Sequence, residues 1–318
     1  MRDFQRASPL VLSFLVALLG LVLALGACSQ SAAERETSAV PAADSIPPGK
    51  SVFVFNEYAP LEDKPLTVWT FAPDSAAVDE VPIVFVLHGF GRDGKGYRDD
   101  WIRHARENNF LLVVPTFSEE DFPGGDGYNL GSLFTEGGDP VPEPEWAYSA
   151  LEPLFDHVTD ITGSDQDGYF LYGHSAGSQV AHRFLLFKPD NRARTVVAAN
   201  AGWYTMPSFA TAFPYGLKDA PTTPEALTDA LGQRLVVHLG EEDDDPNAGA
   251  LRTTPEAMAQ GAHRVERGRT FFLAAQDAAD SLGVPFNWTL RTVPDVGHDN
   301  EKMAADAADF LFGEPDAE

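Results

Sequence analysis

The sequence predicts an α/β fold in which a mostly parallel, eight-stranded sheet is covered by helices on both faces. Two observations carry this. Short β-rich runs alternate with helical stretches over residues 50–318, the pattern of a sheet built from strand–helix units. From residue 83 onward the runs are nearly continuous Val, Leu and Phe, as expected of strands buried on both faces. With 318 residues, 44% of them apolar, the chain can bury one large core, and a single domain expected to act as a monomer is the simplest count.

The first 27 residues stand apart. Arg2 and Arg6 precede an apolar run from Leu10 to Leu25 that ends in Leu25-Gly26-Ala27-Cys28. A basic start, an apolar centre and small residues before a break describe an export signal. The run is shorter than the roughly 20 residues a bilayer span needs, and no basic cluster follows it. The Leu-Gly-Ala-Cys end resembles a bacterial lipobox, which implies lipid attachment at Cys28, a membrane anchor and an exported location in the cell envelope. Residues 28–49, mainly Ser, Ala, Glu, Thr and Pro, then read as a flexible tether.

Charge and cysteine count exclude whole classes of function. The chain has 22 Lys and Arg against 48 Asp and Glu, a formal charge of −26, so most of its surface repels a phosphate backbone and nucleic acid is not an expected partner. Without residues 1–27 the balance becomes 20 against 47. One cysteine rules out an intrachain disulfide and a thiolate metal cluster.

The expected strands lie at 52–55, 66–71, 83–87, 111–115, 169–172, 195–200, 235–239 and 286–293. The first two, joined by a turn with Pro and Asp, alternate apolar with polar and suit an antiparallel edge hairpin. Helices are expected at 97–108, 145–159, 176–187, 255–281 and 300–312, the fourth opened by the cap signal Thr254-Pro255-Glu256. Two long irregular segments, 117–144 and 203–233, are too long for filler and read as insertions that form a lid or rim.

The chemistry concentrates in loops that follow strands. Gly173-His174-Ser175-Ala176-Gly177 sits between the fifth strand and the third expected helix, where a sharp turn thrusts the serine hydroxyl out at the sheet's carboxyl edge. A serine needs a base and a group to orient that base. The seventh strand runs into Gly240-Glu241-Glu242-Asp243-Asp244-Asp245-Pro246, and the eighth into Pro294-Asp295-Val296-Gly297-His298. His298 is the expected base. Asp243 is the expected acid, with Asp245 as its alternative. Of the other histidines, His104, His157, His182 and His263 fall on expected helices and His238 within a strand, where packing roles are the simpler reading, and His174 is expected to pack beneath the elbow. The acidic run lacks the alternating ligands and central glycine of an EF-hand, and no metal or cofactor is required by the expected chemistry, although a calcium loop steadying Asp243 is a further reading. The oxyanion of acyl transfer needs two backbone donors; Ala176 supplies one by position, and Phe90 of His88-Gly89-Phe90-Gly91 the other.

Together, the strand order, His88-Gly89-Phe90, the Gly173–Gly177 elbow, Asp243 and His298 resemble the α/β-hydrolase superfamily over about residues 50–314. Within it, the chain is similar to exported polyhydroxyalkanoate-depolymerase-like and feruloyl-esterase-like enzymes, which implies a serine esterase acting on a small or polymeric ester. Many secreted depolymerases carry disulfides and a cysteine after the His-Gly pair, where this chain has Phe90. Trp203 and Tyr204, after the sixth strand, are either a platform for the substrate or a packed anchor of the second insertion. Phe122, Tyr128 and Phe134 are expected to form a small satellite core. A peptidase on the same fold, or a cell-surface binding protein without the chemistry, are the competing functional readings.

Overall fold

The computed structural model describes residues 44–74 and 76–313; Cys28, the leader and most of the expected tether lie outside the described residues. Eight strands form one sheet: β1 Gly49–Phe55, β2 Leu66–Ala72, β3 Ile83–Leu87, β4 Leu111–Thr116, β5 Tyr169–His174, β6 Ala193–Ala199, β7 Leu235–Gly240 and β8 Trp288–Val293. Their order is β1-β2-β4-β3-β5-β6-β7-β8. Only β2 runs against its neighbours, pairing antiparallel with both β1 and β4, while β3 to β8 are parallel. Ile46, inside the segment expected to be a tether, is buried in the main core.

The helices are α1 Gly94–Asn108, α2 Gly124–Gly127, α3 Leu151–Thr162, α4 Ala176–Phe187, α5 Pro224–Gly232, α6 Pro255–Gln260, α7 Arg264–Leu282 and α8 Asn300–Phe312. Buried side chains explain why the central strands read as unbroken apolar runs. Ile83, Phe85 and Leu87 join the cluster beneath α3, α4 and α7, whereas Val84 and Val86 join the opposite cluster beneath α1 and α8. Successive residues of a strand point to opposite faces, so a two-faced core removes the polar half of the alternation.

The largest departures from the expected helices have local reasons. The helix expected at 145–159 starts at Leu151, because the residues ahead of it form two short 3-10 turns, Glu143–Glu145 and Ala147–Ala150, parted by the extended Trp146 (φ −70°, ψ 146°). The helix expected at 255–281 is two helices, split where Gly261 adopts φ 151° and His263 caps α7 by accepting from the Glu266 N–H. Helix α5 lies within the segment expected to be irregular; Thr223 caps it and Pro224 opens it, so Thr223-Pro224-Glu225 repeats the signal that correctly marked α6.

The expected satellite core is part of the main one. Phe122 and Tyr128 are buried in the cluster that includes β3 and α4, and Phe134 packs against it. With all parallel strands running the same way, the loops after β3, β5, β7 and β8 emerge at one edge of the sheet, bringing His88, Ser175, Asp243 and His298 together.

Candidate active site

The turn from β5 into α4 is the most strained part of the site. Ser175 has φ 57° and ψ −113°, a backbone region that side chains rarely adopt. Glycine is required on both flanks. A Cβ on Gly173 would overlap the Gly177 carbonyl, and one on Gly177 would overlap the carbonyls of Leu87 and His88 in the loop after β3. The Ser175 N–H donates to the Ala199 carbonyl at 2.9 Å, tying the elbow to β6.

A linear relay leads away from the serine. The buried Asp243 carboxylate can only accept at Oδ2, so His298 Nδ1 carries the proton and donates across 2.7 Å, leaving Nε2 as acceptor for Ser175 Oγ at 3.0 Å. Asp245 is elsewhere: it is exposed and accepts from the Asn247 N–H at 2.8 Å. Among the described residues no group of three or more His, Cys, Asp or Glu is arranged to hold a metal ion.

The loops that carry acid and base are bound to each other. The Glu241 and Glu242 N–H groups donate to the Val293 and Val296 carbonyls at 3.0 and 2.9 Å. Asn200, at the end of β6, donates to the Gly297 carbonyl and accepts from the Gly240 N–H, at 3.0 and 2.8 Å. A shift of either loop therefore displaces the other.

Two residues make contacts in the site that the sequence did not indicate. Arg264, the first residue of α7, donates from Nη1 to Asp243 Oδ1 at 3.0 Å, and both side chains are almost fully enclosed. A cation at a helix N-terminus opposes the helix dipole, and its Nε has no partner, so the residue sits at an electrostatically unfavourable position and is held by Asp243. Thr254-Pro255-Glu256 had suggested one continuous helix, which hid that residue 264 begins a new one. The second is His88. The Phe117 N–H donates to its Nε2 at 3.0 Å, so Nδ1 carries the proton and donates to the Gly89 carbonyl at 2.9 Å. That carbonyl and the Phe90 N–H share one planar trans peptide and point opposite ways, so His88 aims the Phe90 N–H. Tyr128 Oη donates to the His88 carbonyl at 2.8 Å, fixing the loop again.

Neither the Phe90 nor the Ala176 N–H has a protein acceptor among the described residues, leaving both donors free beside the serine. The oxyanion loop also passes close to it: a Cβ on Gly89 would lie 3.7 Å from Ser175 Cβ. The Phe90 side chain is exposed. Beneath the elbow, His174 shares a hydrogen bond of 3.0 Å with Tyr97 Oη and packs against the His298 ring at 4.6 Å between centroids. Burial pushes His88 down to about 4 and His174 well below the ordinary histidine range, so both rings are neutral near pH 7.

Trp203 and Tyr204 are interior. The guanidinium groups of Arg183 and Arg252 stand over the Trp203 ring, 4.3 and 4.8 Å from its centre, and Tyr204 stacks on Phe271 at 4.4 Å. Burial supports the anchor reading over the platform: the Tyr204 backbone exchanges hydrogen bonds of 2.9 and 2.8 Å with the Gln260 side chain, holding the insertion to α6. His238 is buried, donating from Nε2 to Asp306, and His182 accepts the Thr205 N–H.

A hydrolase-type site on this topology has solved counterparts. The chain is 44% identical to poly(aspartic acid) hydrolase-1 from Sphingomonas sp. KT-1, a match covering 85% of this chain and 100% of that one at a TM-score of 0.81. It is 36% identical to LpqC, a poly(3-hydroxybutyrate) depolymerase from Bordetella parapertussis, over 85% of this chain and 93% of that one at a TM-score of 0.80. The chain belongs to the α/β-hydrolase superfamily. An S-formylglutathione hydrolase from Agrobacterium tumefaciens, 18% identical over 82% of this chain and 92% of its own at a TM-score of 0.54, shares the fold. No protein-family model and no curated protein matches the chain.

Two outcomes follow from this electrostatic arrangement. Replacing Arg264 with Leu leaves the buried Asp243 charge without its cation, which is expected to cost about 3–5 kcal/mol of stability and to lower hydrolytic turnover, while Arg264→Lys retains part of both. Urea unfolding monitored beside turnover checks this, and a loss below about 0.5 kcal/mol for the Leu variant contradicts it. His88, His174 and His182 all have folded-state values below the unfolded one, chiefly through burial. The unfolded chain therefore binds protons that the folded chain excludes, so stability is full above about pH 6.5 and falls toward pH 4, by up to about 1.4 kcal/mol per pH unit for each ring. Chemical denaturation at half-unit intervals from pH 7 to 4 measures the slope, and a flat profile contradicts the assignment.

Proposed function

We propose that this chain is an exported serine hydrolase that cleaves carboxylic esters through an acyl-enzyme intermediate. The observation that carries the reading is the unbroken relay from Asp243 through His298 to Ser175, at 2.7 and 3.0 Å, beside two free backbone donors. In this reading Ser175 Oγ attacks the ester carbonyl while His298 Nε2 takes its proton. The N–H groups of Phe90 and Ala176 hold the oxyanion, and His298 returns the proton to the leaving alkoxide as the tetrahedral adduct collapses. Water then attacks the acyl-enzyme with His298 again as base. Asp243 holds the imidazole in the tautomer that leaves Nε2 basic, and Arg264 keeps the carboxylate turned toward it. No cofactor enters these steps. Poly(3-hydroxybutyrate), named for the LpqC relative, is a polyester and supports the ester reading.

Amide cleavage is the second reading, favoured by the 44% identity to a poly(aspartic acid) hydrolase, whose named substrate is a polyamide. The same relay serves both, since only the leaving group differs. Export and anchoring through a lipid on Cys28 remain part of the proposal on the strength of the Leu25-Gly26-Ala27-Cys28 motif.

Ser175→Ala is expected to lower turnover of p-nitrophenyl esters by about 10⁵-fold or more with an unchanged melting temperature. A folded variant that keeps full activity overturns the assignment. Parallel rates on an ester and an isosteric amide rank the two readings: faster amide cleavage favours the second.

A further inference from the structure

Tyr97 stands where separate parts of the site meet, and the relay from Asp243 to Ser175 does not use it. It lies in the first turn of α1, four residues before Trp101, so the two share one stripe of the helix. Trp101 is fully buried against Tyr172 of β5, with ring centres 4.8 Å apart, which fixes that stripe on the sheet.

The Tyr97 hydroxyl meets the elbow on one side. Burial raises the phenol, so its oxygen keeps its proton and has one to give. The acceptor is His174 Nδ1, 3.0 Å away. That places the His174 proton on Nε2, the reverse of His298 and His88, and holds still the ring against which His298 packs at 4.6 Å.

On its other side the same oxygen faces the oxyanion loop. The Gly89 N–H is directed at it, and a Cβ on Gly89 would lie 2.6 Å from it, with every other neighbour at 3.6 Å or more. Gly89 does not have a left-handed backbone, so the phenol oxygen, and not conformation, demands glycine there. The peptide between His88 and Gly89 is thereby held at both edges, since Tyr128 Oη donates to its carbonyl at 2.8 Å. The peptide that follows carries the Phe90 N–H. Helix α1 also reaches the loop of the base: Asp100, one turn after Tyr97, accepts from Asn300 Nδ2 at 2.6 Å, and Asn300 opens α8 two residues after His298.

We infer that Tyr97 is a positioning residue that couples the two halves of the reacting centre: one phenol oxygen sets the peptide ahead of the Phe90 donor relative to the His174 ring that supports His298. The inference rests on the hydrolase reading and adds to it a residue outside the relay. Removing the oxygen takes away the common reference of oxyanion donor and base while leaving the rest of the site in place. The loss therefore falls on kcat rather than on KM.

Tyr97→Phe tests this on the full chain, with kcat and KM measured on a p-nitrophenyl ester and on the isosteric amide. On whichever is cleaved, kcat is expected to fall about tenfold, with KM within about twofold and the melting temperature unchanged. Gly89→Ala, which sets a methyl against the phenol oxygen, is expected to lower kcat further. In the double variant the nearest ring atom lies 3.6 Å from that methyl, so its kcat is expected to return to that of Tyr97→Phe instead of showing the product of the two losses. A second measurement needs no variant: in protein labelled with 15N-histidine, His174 is expected to carry its proton on Nε2. Full kcat in a folded Tyr97→Phe, a change in KM alone, losses that multiply in the double variant, or a His174 proton on Nδ1 each overturn the inference. Absence of turnover in the unmodified protein overturns the hydrolase reading and the coupling with it, whereas turnover indifferent to Tyr97→Phe overturns the coupling alone.

Discussion

The site depends on how closely the β5–α4 turn approaches the end of β3. Ser175 can hold φ 57° only because the turn is clamped by a hydrogen bond to β6 and because Gly173 and Gly177 leave room for the backbones on either side. That contact sets the distance between the nucleophile and the His88-Gly89-Phe90 loop, and with it the position of both free N–H donors. Any side chain at residue 177 would push α4 away from the Leu87 and His88 carbonyls and open the gap. The strain is held by the sheet, whose five central strands are buried on both faces.

Around this turn the protein manages charge by neutralising or pairing it. His88 and His174, inside the site, are kept neutral by burial, so neither competes with His298 for a proton. The buried acid has a buried cation beside it, Arg264, which in turn sits where α7 begins. In the proposed reaction, proton transfer to His298 and development of the oxyanion create one positive and one negative charge together. An initially balanced Asp243–Arg264 pair leaves the cluster balanced throughout, which limits the electrostatic cost of running the reaction in a partly enclosed site.

Most of the sheet was legible because each strand announces itself by a short apolar run between turn residues, and the edge hairpin by its alternation. The elbow, the acid loop and the histidine loop were legible for a different reason: each directly follows a strand, so their convergence follows from a parallel sheet. The choice of Asp243 over Asp245 was open in the sequence, since both lie in one acidic run; the hydrogen bond to His298 separates them. What could not be read depends on contacts between distant segments. Arg264 faces Asp243 across 21 positions, and His88 meets the Phe117 N–H across 29. Neither has a local pattern. Trp203 and Tyr204 illustrate the same limit, because an aromatic pair after a strand looks alike whether it lines a site or anchors an insertion, and only burial distinguishes them. Helix α5, by contrast, was readable in principle from Thr223-Pro224-Glu225 and was obscured by the Gly- and Pro-rich residues ahead of it.

In the proposed reaction Ser175 is the nucleophile whose oxygen accepts the acyl group. Peptide mass spectrometry after rapid acid quench of an ester reaction, or after treatment with a fluorophosphonate, tests it most directly. A single acyl or phosphonyl increment is expected on the peptide that contains Gly173-His174-Ser175-Ala176-Gly177, lost in Ser175→Ala. Turnover of the ester with no increment on that peptide, or an increment on another residue, contradicts it.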